Sequence, residues 1–370
     1  MHIVQIYKDY PPVRGGIEGH LQLLSEGLAA RGHRVTVLFT SEDRHGWRAR
    51  RNGVELIATP RWATIARAPF SPALIRQLAC LKPDLIHVHH PYPFADLALL
   101  LAHAPLVVTY HSDIVRQRVL GHLIAPLIQR TLRRAARIIA TSPNLAATSP
   151  WLARHRDRIR IVPFGLPPLP LPNPALVAAL RRRFPGPNAL FVGRLRYYKG
   201  VDRLIRAMAL LPYGHAIIVG GDATVRSADL HRLAVALGVA ERVHHLGAVD
   251  ATTLRALYAI ADVFVLPSVA RSEAFGIVQV EAQFAGLPVI CTELGTGTSY
   301  VTRHGRTGLV VPPDNPAALA QALTDLFTNP VRARALGAAG RERAMTEFQL
   351  ERMLTRIEQV YLEALQATYT

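Results

Sequence analysis

The sequence predicts an α/β protein made of two doubly wound, Rossmann-like domains facing each other across a cleft. Short apolar runs of strand character alternate with helical patterns along most of the 370 residues, a proline-rich run interrupts the alternation near the middle, and it then restarts. Strands that alternate with helices form a parallel sheet covered on both faces.

In the first half, His2 to Tyr7 reads as a strand, Ile17 to Arg31 has apolar residues at helical spacing, and Arg34 to Thr40 is a second strand after the helix stop Gly32. This is a βαβ unit. Further strand-like runs are Val54 to Ala58, Leu85 to His89, Leu106 to Tyr110, Ile138 to Thr141 and Ile159 to Val162. From Pro163 to Pro174 prolines remove all periodicity, as in a stiff connector. The second half reads strand at Ala189 to Val192, helix at Val201 to Leu211, strand at Ala216 to Val219, helix at Ala228 to Leu237 and strand at Val243 to Leu246. A helix at Thr252 to Ala259, a strand at Val263 to Leu266, a helix at Val278 to Ala285 and a strand at Val289 to Thr292 follow, and from about Pro316 the pattern is helical. We expect domains over 1–168 and 169–348, with a last helix over 349–370 packing back on the first domain. Ligand sites prefer the strand ends of such sheets and the cleft between such domains.

The formal net charge is +17, and it is uneven: residues 1–170 hold 22 Lys and Arg against 10 Asp and Glu, and residues 171–370 hold 21 against 16. Such a surplus attracts anionic lipid or a phosphorylated substrate. Nucleic acid is not expected, because no zinc finger, recognition helix or RNA-binding aromatic motif is present. Only Lys8, Lys82 and Lys199 are lysines, a bias that genome composition alone can produce. Cys80 and Cys291 are too few and too far apart for a disulfide framework or zinc cluster. No basic leader opens the chain and no apolar run reaches membrane-spanning length, so a cytoplasmic location is expected.

The most informative stretch holds Glu273 and Glu281, eight positions apart around Ala274-Phe275-Gly276-Ile277-Val278-Gln279-Val280. It follows a strand ending at Pro267 and leads into a helix, where free N–H groups favour anions and carboxylates suit sugar hydroxyls. Both acids could equally be first-turn glutamates placed by the helix dipole. Gly15-Gly16 precede the first helix, either to let backbone approach a ligand or simply to form a turn. Gly193-Arg194-Leu195-Arg196-Tyr197-Tyr198-Lys199-Gly200 occupies the equivalent place in the second half, where Arg194 and Lys199 suit a diphosphate. His111 ends a strand and is followed by Ser112-Asp113, so its ring could face the cleft. His89 and His90, adjacent on a strand, point to opposite faces and are poor metal partners. Val115 to Ala136 is a basic amphipathic stretch interrupted by Pro126; it suits either an anionic membrane surface or a core-facing helix. Arg44, Arg48, Arg50 and Arg51 form a second basic patch.

In combination these residues resemble the retaining glycosyltransferases of family 4, of GT-B fold, over nearly the whole chain. Gly15-Gly16, His111, Gly193-Arg194 with Lys199-Gly200, the stretch from Pro267 to Gly276, and Glu273 with Glu281 carry the resemblance in order. Tyr110-His111-Ser112-Asp113-Ile114-Val115-Arg116-Gln117, Tyr197-Tyr198-Lys199-Gly200, Arg271-Ser272-Glu273-Ala274-Phe275-Gly276 and Gly295-Thr296-Gly297-Thr298-Ser299-Tyr300 look most like bacterial mannosyl- or rhamnosyltransferases of O-antigen and exopolysaccharide assembly. The resemblance implies an acceptor-binding first domain and a second domain that binds a GDP- or UDP-linked sugar, with no metal and no cofactor. Arg194 and Lys199 would hold the diphosphate, Glu281 the ribose and Glu273 the donor sugar. The backbone at Phe275, Gly276 and Ile277 would touch sugar and phosphate, and Val249 would lie beside the base. Gly16 would approach the phosphate and His111 the donor sugar. The acceptor would be a glycan or a polyprenyl-diphosphate-linked oligosaccharide, reached from the cytoplasm at the membrane surface. A sugar-nucleotide 2-epimerase of the same fold, or a non-enzymatic membrane or nucleic-acid adaptor, would be the competing readings.

Overall fold

A computed structural model describes the chain except Arg14, Arg67, residues 115–117 and Thr370, with residues 118–123 and 368–369 described in their backbone only. The chain divides into two compact units, the first Met1–Gly165 with the segment from Leu350 onward, the second Leu166–Gln349.

In the first unit, strands β1 (His2–Ile6), β2 (Arg34–Thr40), β3 (Trp47–Arg51) and β4 (Val54–Thr59) precede a small hairpin of β5 (Ala63–Ile65) and β6 (Ala68–Phe70). They are followed by β7 (Leu85–His90), β8 (Leu106–Tyr110), β9 (Arg137–Ala140) and β10 (Ile159–Ile161). The main sheet has the order β10-β9-β8-β7-β1-β2-β4-β3 and is parallel except for β3. Its helices are α1 (Gly16–Ala30), α2 (Pro72–Cys80), α3 (Pro93–Ala98), α4 (Arg118–Arg134), α5 (Pro143–Thr148) and, from the end of the chain, α14 (Leu350–Tyr369). Two apolar clusters pack on this unit's sheet, one including Leu21, Leu24, Leu354 and Ile357 from α1 and α14, the other Leu74, Ile128 and Leu132 from α2 and α4.

Helices α6 (Pro174–Arg183), α7 (Val201–Ala209), α8 (Ser227–Ala236), α9 (Ala251–Ile260), α10 (Ile277–Phe284), α11 (Thr298–Val301), α12 (Pro316–Thr328) and α13 (Pro330–Glu347) belong to the second unit. Its strands β11 (Asn188–Val192), β12 (His215–Val219), β13 (Val243–Gly247), β14 (Val263–Leu266), β15 (Val289–Thr292) and β16 (Gly308–Val311) form one parallel sheet in the order β13-β12-β11-β14-β15-β16. This is the doubly wound order, which reverses direction between β11 and β14. In the first unit the corresponding reversal falls between β1 and β7.

The helices and strands expected from periodicity are present to within a residue or two at their ends. The basic patch at Arg48, Arg50 and Arg51 is an antiparallel edge strand, β3, whose arginines also discourage pairing with another chain. Helix α6, unanticipated after the proline run, starts at Pro174 and is capped by the Asn173 side chain, which accepts from the N–H groups of Ala175 and Leu176. Val115, Arg116 and Gln117 of the basic amphipathic stretch lie outside the described residues. In its later part Ile128 and Leu132 enter the core, and the Arg134 guanidinium donates to the carbonyls of Leu99 and Ala104. Among the described residues no helix is long and apolar enough to cross a membrane.

Candidate active site

At the second unit's point of reversal, two loops are locked together. The loop after β11 passes through Gly193 at φ +152° and ends at Gly200, φ +66°, where a Cβ would sit 2.0 Å from the carbonyl oxygen of Pro267 after β14. Only glycine allows this approach. Val269 N–H donates to the Tyr198 carbonyl at 2.7 Å, so the two loops also share a backbone bond.

This contact brings Lys199 and Glu273 together. Lys199 Nζ lies 2.6 Å from Glu273 Oε2, and the two side chains are only 13% and 9% exposed. The Ser268 hydroxyl donates to the same carboxylate oxygen at 3.3 Å. The backbone of Glu273 is pinned as well, its N–H to the carbonyl of Ala270 at 3.0 Å and its carbonyl by the Thr296 hydroxyl at 2.7 Å. Burial alone would lower the Lys199 pKa, but the Glu273 charge and hydrogen bond outweigh it and hold the ammonium above its ordinary value. Lysine therefore carries a fixed positive charge here.

Past Phe275, which is buried, Gly276 turns the chain at φ +74° and α10 starts at Ile277 with no side chain capping its first turn. Neither acid lies in that turn: Glu273 precedes the helix and Glu281 is in its second turn, which removes the first-turn explanation for both. The Tyr258 hydroxyl of α9 donates to Glu281 Oε2 at 2.8 Å. Burial raises the Glu281 pKa, and the tyrosine bond offsets part of the rise. Gly297 lies against the same segment, its N–H bonded to the Ala274 carbonyl at 2.7 Å. Arg194, in the loop with Lys199, is exposed and makes no ion pair among the described residues. Val249 follows β13 and packs, partly buried, against the unit's core, while Asp250 beside it caps α9 by accepting from the Thr253 N–H.

In the first unit, Gly15 is extended at φ −178° and Gly16 is the first residue of α1, again without a side-chain cap. The conformation of Gly15 is open to any residue, so no backbone demand explains it. His111 follows β8 and is buried, its Nε2 2.9 Å from His89 Nδ1. Burial first, then neighbouring imidazoles and Lys8, push its pKa well below the ordinary histidine range. It belongs to a group of buried rings with His20, His87 and His89. From the sequence His89 was weighed only as a metal partner of His90, and His20 and His87 were not singled out, although the alternation of His87 and His89 along one strand face was readable. Across the sheet His90 turns to the opposite face and binds Asp96, Nε2 to Oδ1 at 2.5 Å. Among the described residues no three His, Cys, Asp or Glu side chains are placed to hold a metal ion.

The chain thus carries two doubly wound α/β units, with an ion-paired lysine at the reversal of the second sheet. Residues 14–168 match the family Glycosyltransferase Family 4, and residues 180–343 match Glycosyl transferases group 1. D-rhamnosyltransferase WbpZ of Pseudomonas aeruginosa is 39% identical over 344 residues, covering 91% of this chain and 89% of the relative. O-antigen chain mannosyltransferase C of Escherichia coli is 34% identical over 375 residues, 99% of this chain and 100% of the relative. Sucrose-phosphate synthase from Thermosynechococcus elongatus superposes with a TM-score of 0.82 at 26% identity over 99% of both chains. Anabaena HepE, solved with UDP and glucose, gives 0.79 at 20% identity over 98% of this chain and 99% of its own, a likeness of fold alone. This chain belongs to the family 4 glycosyltransferases.

Proposed function

We propose that the protein transfers a mannose- or rhamnose-type hexose from a GDP- or UDP-linked donor, with retention of anomeric configuration and without a metal, to a glycan or polyprenyl-diphosphate-linked acceptor of a cell-surface polysaccharide. The observation that carries this reading is the Lys199–Glu273 pair at 2.6 Å on the reversal edge of the second sheet. Breaking the sugar–diphosphate bond builds negative charge on the leaving oxygens, and a prearranged ammonium lowers that barrier. Lys199 and the exposed Arg194 take the diphosphate, Glu281 the ribose hydroxyls and Glu273 the hydroxyls of the donor sugar. The backbone of Phe275, Gly276 and Ile277 contacts sugar and phosphate, and Val249 the base. His111 and Gly15-Gly16 are further substrate contacts, His111 to a hydroxyl of the donor sugar.

Retention follows if the acceptor oxygen bonds to the anomeric carbon on the face the diphosphate leaves, its proton passing to a departing phosphate oxygen. With one oxygen already held by Lys199 and Ser268, Glu273 suits binding better than covalent attack. The preference for mannose or rhamnose rests on the names of the two relatives, and the acceptor and a peripheral place on the cytoplasmic membrane face rest on the basic first half.

Thermal protection by a panel of nucleotide sugars identifies the donor. Turnover with that donor, the anomeric configuration of the product and indifference to a chelator then test the mechanism. Unchanged turnover in Lys199→Ala and Glu273→Ala would overturn the assignment. Sedimentation with anionic vesicles at low salt tests the membrane face, and absence of binding removes it.

A further inference from the structure

On one face of the first unit's sheet, alternate residues of three neighbouring strands are polar where a core is ordinarily apolar. Gln5 lies on β1, His87 and His89 on β7, and Thr109 on β8 with His111 just past its end. All five are buried, as are Tyr361 and His20, brought to this face by α14 and α1. Burying so many polar groups costs stability that aliphatic side chains would not.

The hydrogen bonds join into one chain. Gln5 Nε2 donates to the Tyr361 hydroxyl at 3.0 Å, and Gln5 Oε1 lies 2.9 Å from His89 Nε2. His89 Nδ1 lies 2.9 Å from His111 Nε2. On the other arm, the Tyr361 hydroxyl lies 2.7 Å from His87 Nδ1, and His87 Nε2 lies 2.6 Å from the Thr109 hydroxyl. An amide oxygen only accepts, so His89 Nε2 carries the proton; a neutral imidazole has one N–H, so His89 Nδ1 accepts and His111 Nε2 donates. His111 Nδ1 is left with an unshared pair. That atom is buried and has no partner among the described residues. With the Gln5 amide turned over, every donor in this arm would reverse and the orphaned atom would be an N–H.

We propose that Gln5 and His89, anchored by Tyr361, are positioning residues that hold His111 as its Nε2–H tautomer, so that Nδ1 accepts a hydrogen bond from a hydroxyl of the bound sugar. The hydroxyl contact rests on the proposed function; the tautomer does not. A buried acceptor without a partner is unfavourable until a ligand group fills it, which gives the cluster a reason to exist at this sheet edge. The burial that keeps the rings uncharged serves the same end, since a doubly protonated His111 would have no acceptor to offer.

Long-range proton–nitrogen correlation of the ring nitrogens in the ¹⁵N-labelled wild type reads the tautomer directly, with His111 assigned by its loss in His111→Ala. A proton on Nε2 is expected, and a proton on Nδ1 would overturn the proposal without recourse to any variant. Gln5→Met keeps length but removes both polar atoms, so it should mix the His111 tautomers, raise donor KM and lower kcat, with kcat/KM down about tenfold. Gln5→Glu still accepts from His89 Nε2–H and should recover the tautomer and the larger part of kcat/KM. Equal kcat/KM in these two variants would sink the relay. Full kcat/KM in His111→Ala, with the wild-type tautomer as stated, would instead remove the sugar contact and leave the relay standing.

Discussion

The two sheets reverse direction at equivalent places and fill those places with opposite electrostatics. In the second unit the loop ends carry Lys199 against Glu273, whose carboxylate holds the ammonium above its ordinary pKa. In the first unit the same edge carries a nest of imidazoles driven neutral, with the pKa values of His20 and His87 pushed down to about 3 by burial. The difference teaches that each edge suits a different kind of ligand group, the fixed cation an anionic group and the uncharged rings a neutral hydroxyl. A diphosphate that gains charge on leaving needs a fixed cation, whereas an uncharged sugar needs oriented acceptors and donors that do not titrate.

The sharpest way to break this contrast is to remove the cation. Lys199→Ala should lower kcat roughly 100- to 1,000-fold, the range found when one group that stabilises developing negative charge is deleted. It should also reduce stability, because Glu273 then loses its partner in a largely buried setting. The sign of the pH effect follows from the raised lysine pKa: the pair's contribution is complete below the ordinary lysine value of 10.5 and fades only as pH rises through the higher folded value. Kinetics at saturating donor, with denaturant unfolding alongside, separate the two effects. A loss of kcat below about tenfold would make Lys199 a structural partner of Glu273 rather than a stabiliser of the leaving group.

The neutrality of the first unit's cluster is tested by acid. A histidine held at about 3 when folded, against 6.5 ordinarily, takes up its proton only on unfolding, so its stability contribution is complete above about pH 6.5 and declines as pH falls toward 3. Each such group steepens the fall by about 1.4 kcal/mol per pH unit within that window. His20 is the cleanest probe, since neither of its ring nitrogens has a partner among the described residues, so His20→Leu removes no hydrogen bond. Unfolding free energies of wild type and variant between neutral and mildly acid pH should diverge in slope by that amount. Parallel slopes would mean that His20 is charged or accessible in the folded state.

The two edges were unequally legible in the sequence. Lys199 and Glu273 stand out locally, one because lysine is so scarce and the other because it sits between a strand and a helix start, and glycines at 193, 200 and 276 mark the turns that join them. Most strands and helices followed from periodicity, although the edge strand β3, the short strands β5, β6 and β16, the capped helix α6 and the short helix α11 did not. The imidazole cluster was hidden for a different reason. His87 and His89 betray a polar face only when Gln5 and Thr109 are known to lie beside them, and that register is a property of the sheet. Tyr361 bonds to Gln5 from 356 positions away, a contact that no local pattern announces. Glu281 was assigned without its tyrosine for the same reason, because α9 and α10 meet only in the fold.

That tyrosine supplies the finest test of the comparison, because Glu281 is an acid of the charged edge whose ionisation its partly buried setting opposes. Burial raises its pKa and the Tyr258 hydroxyl holds part of that rise back, so Tyr258→Phe should move the pKa further up. An ionised carboxylate can accept from two ribose hydroxyls at once, whereas the protonated form has given up part of that capacity. Donor KM should therefore rise as pH falls through the Glu281 pKa, and in Tyr258→Phe the rise should begin at higher pH and reach about fivefold where the wild type is still ionised, the worth of one hydrogen bond. Glu281→Gln, which does not titrate, should bind donor more weakly and show no such limb. Saturation kinetics across the acid-to-neutral range distinguish the cases: a KM change of equal size at every pH would place Tyr258 in packing alone, and it would leave the charged edge resting on Lys199 without a tuned carboxylate beside it.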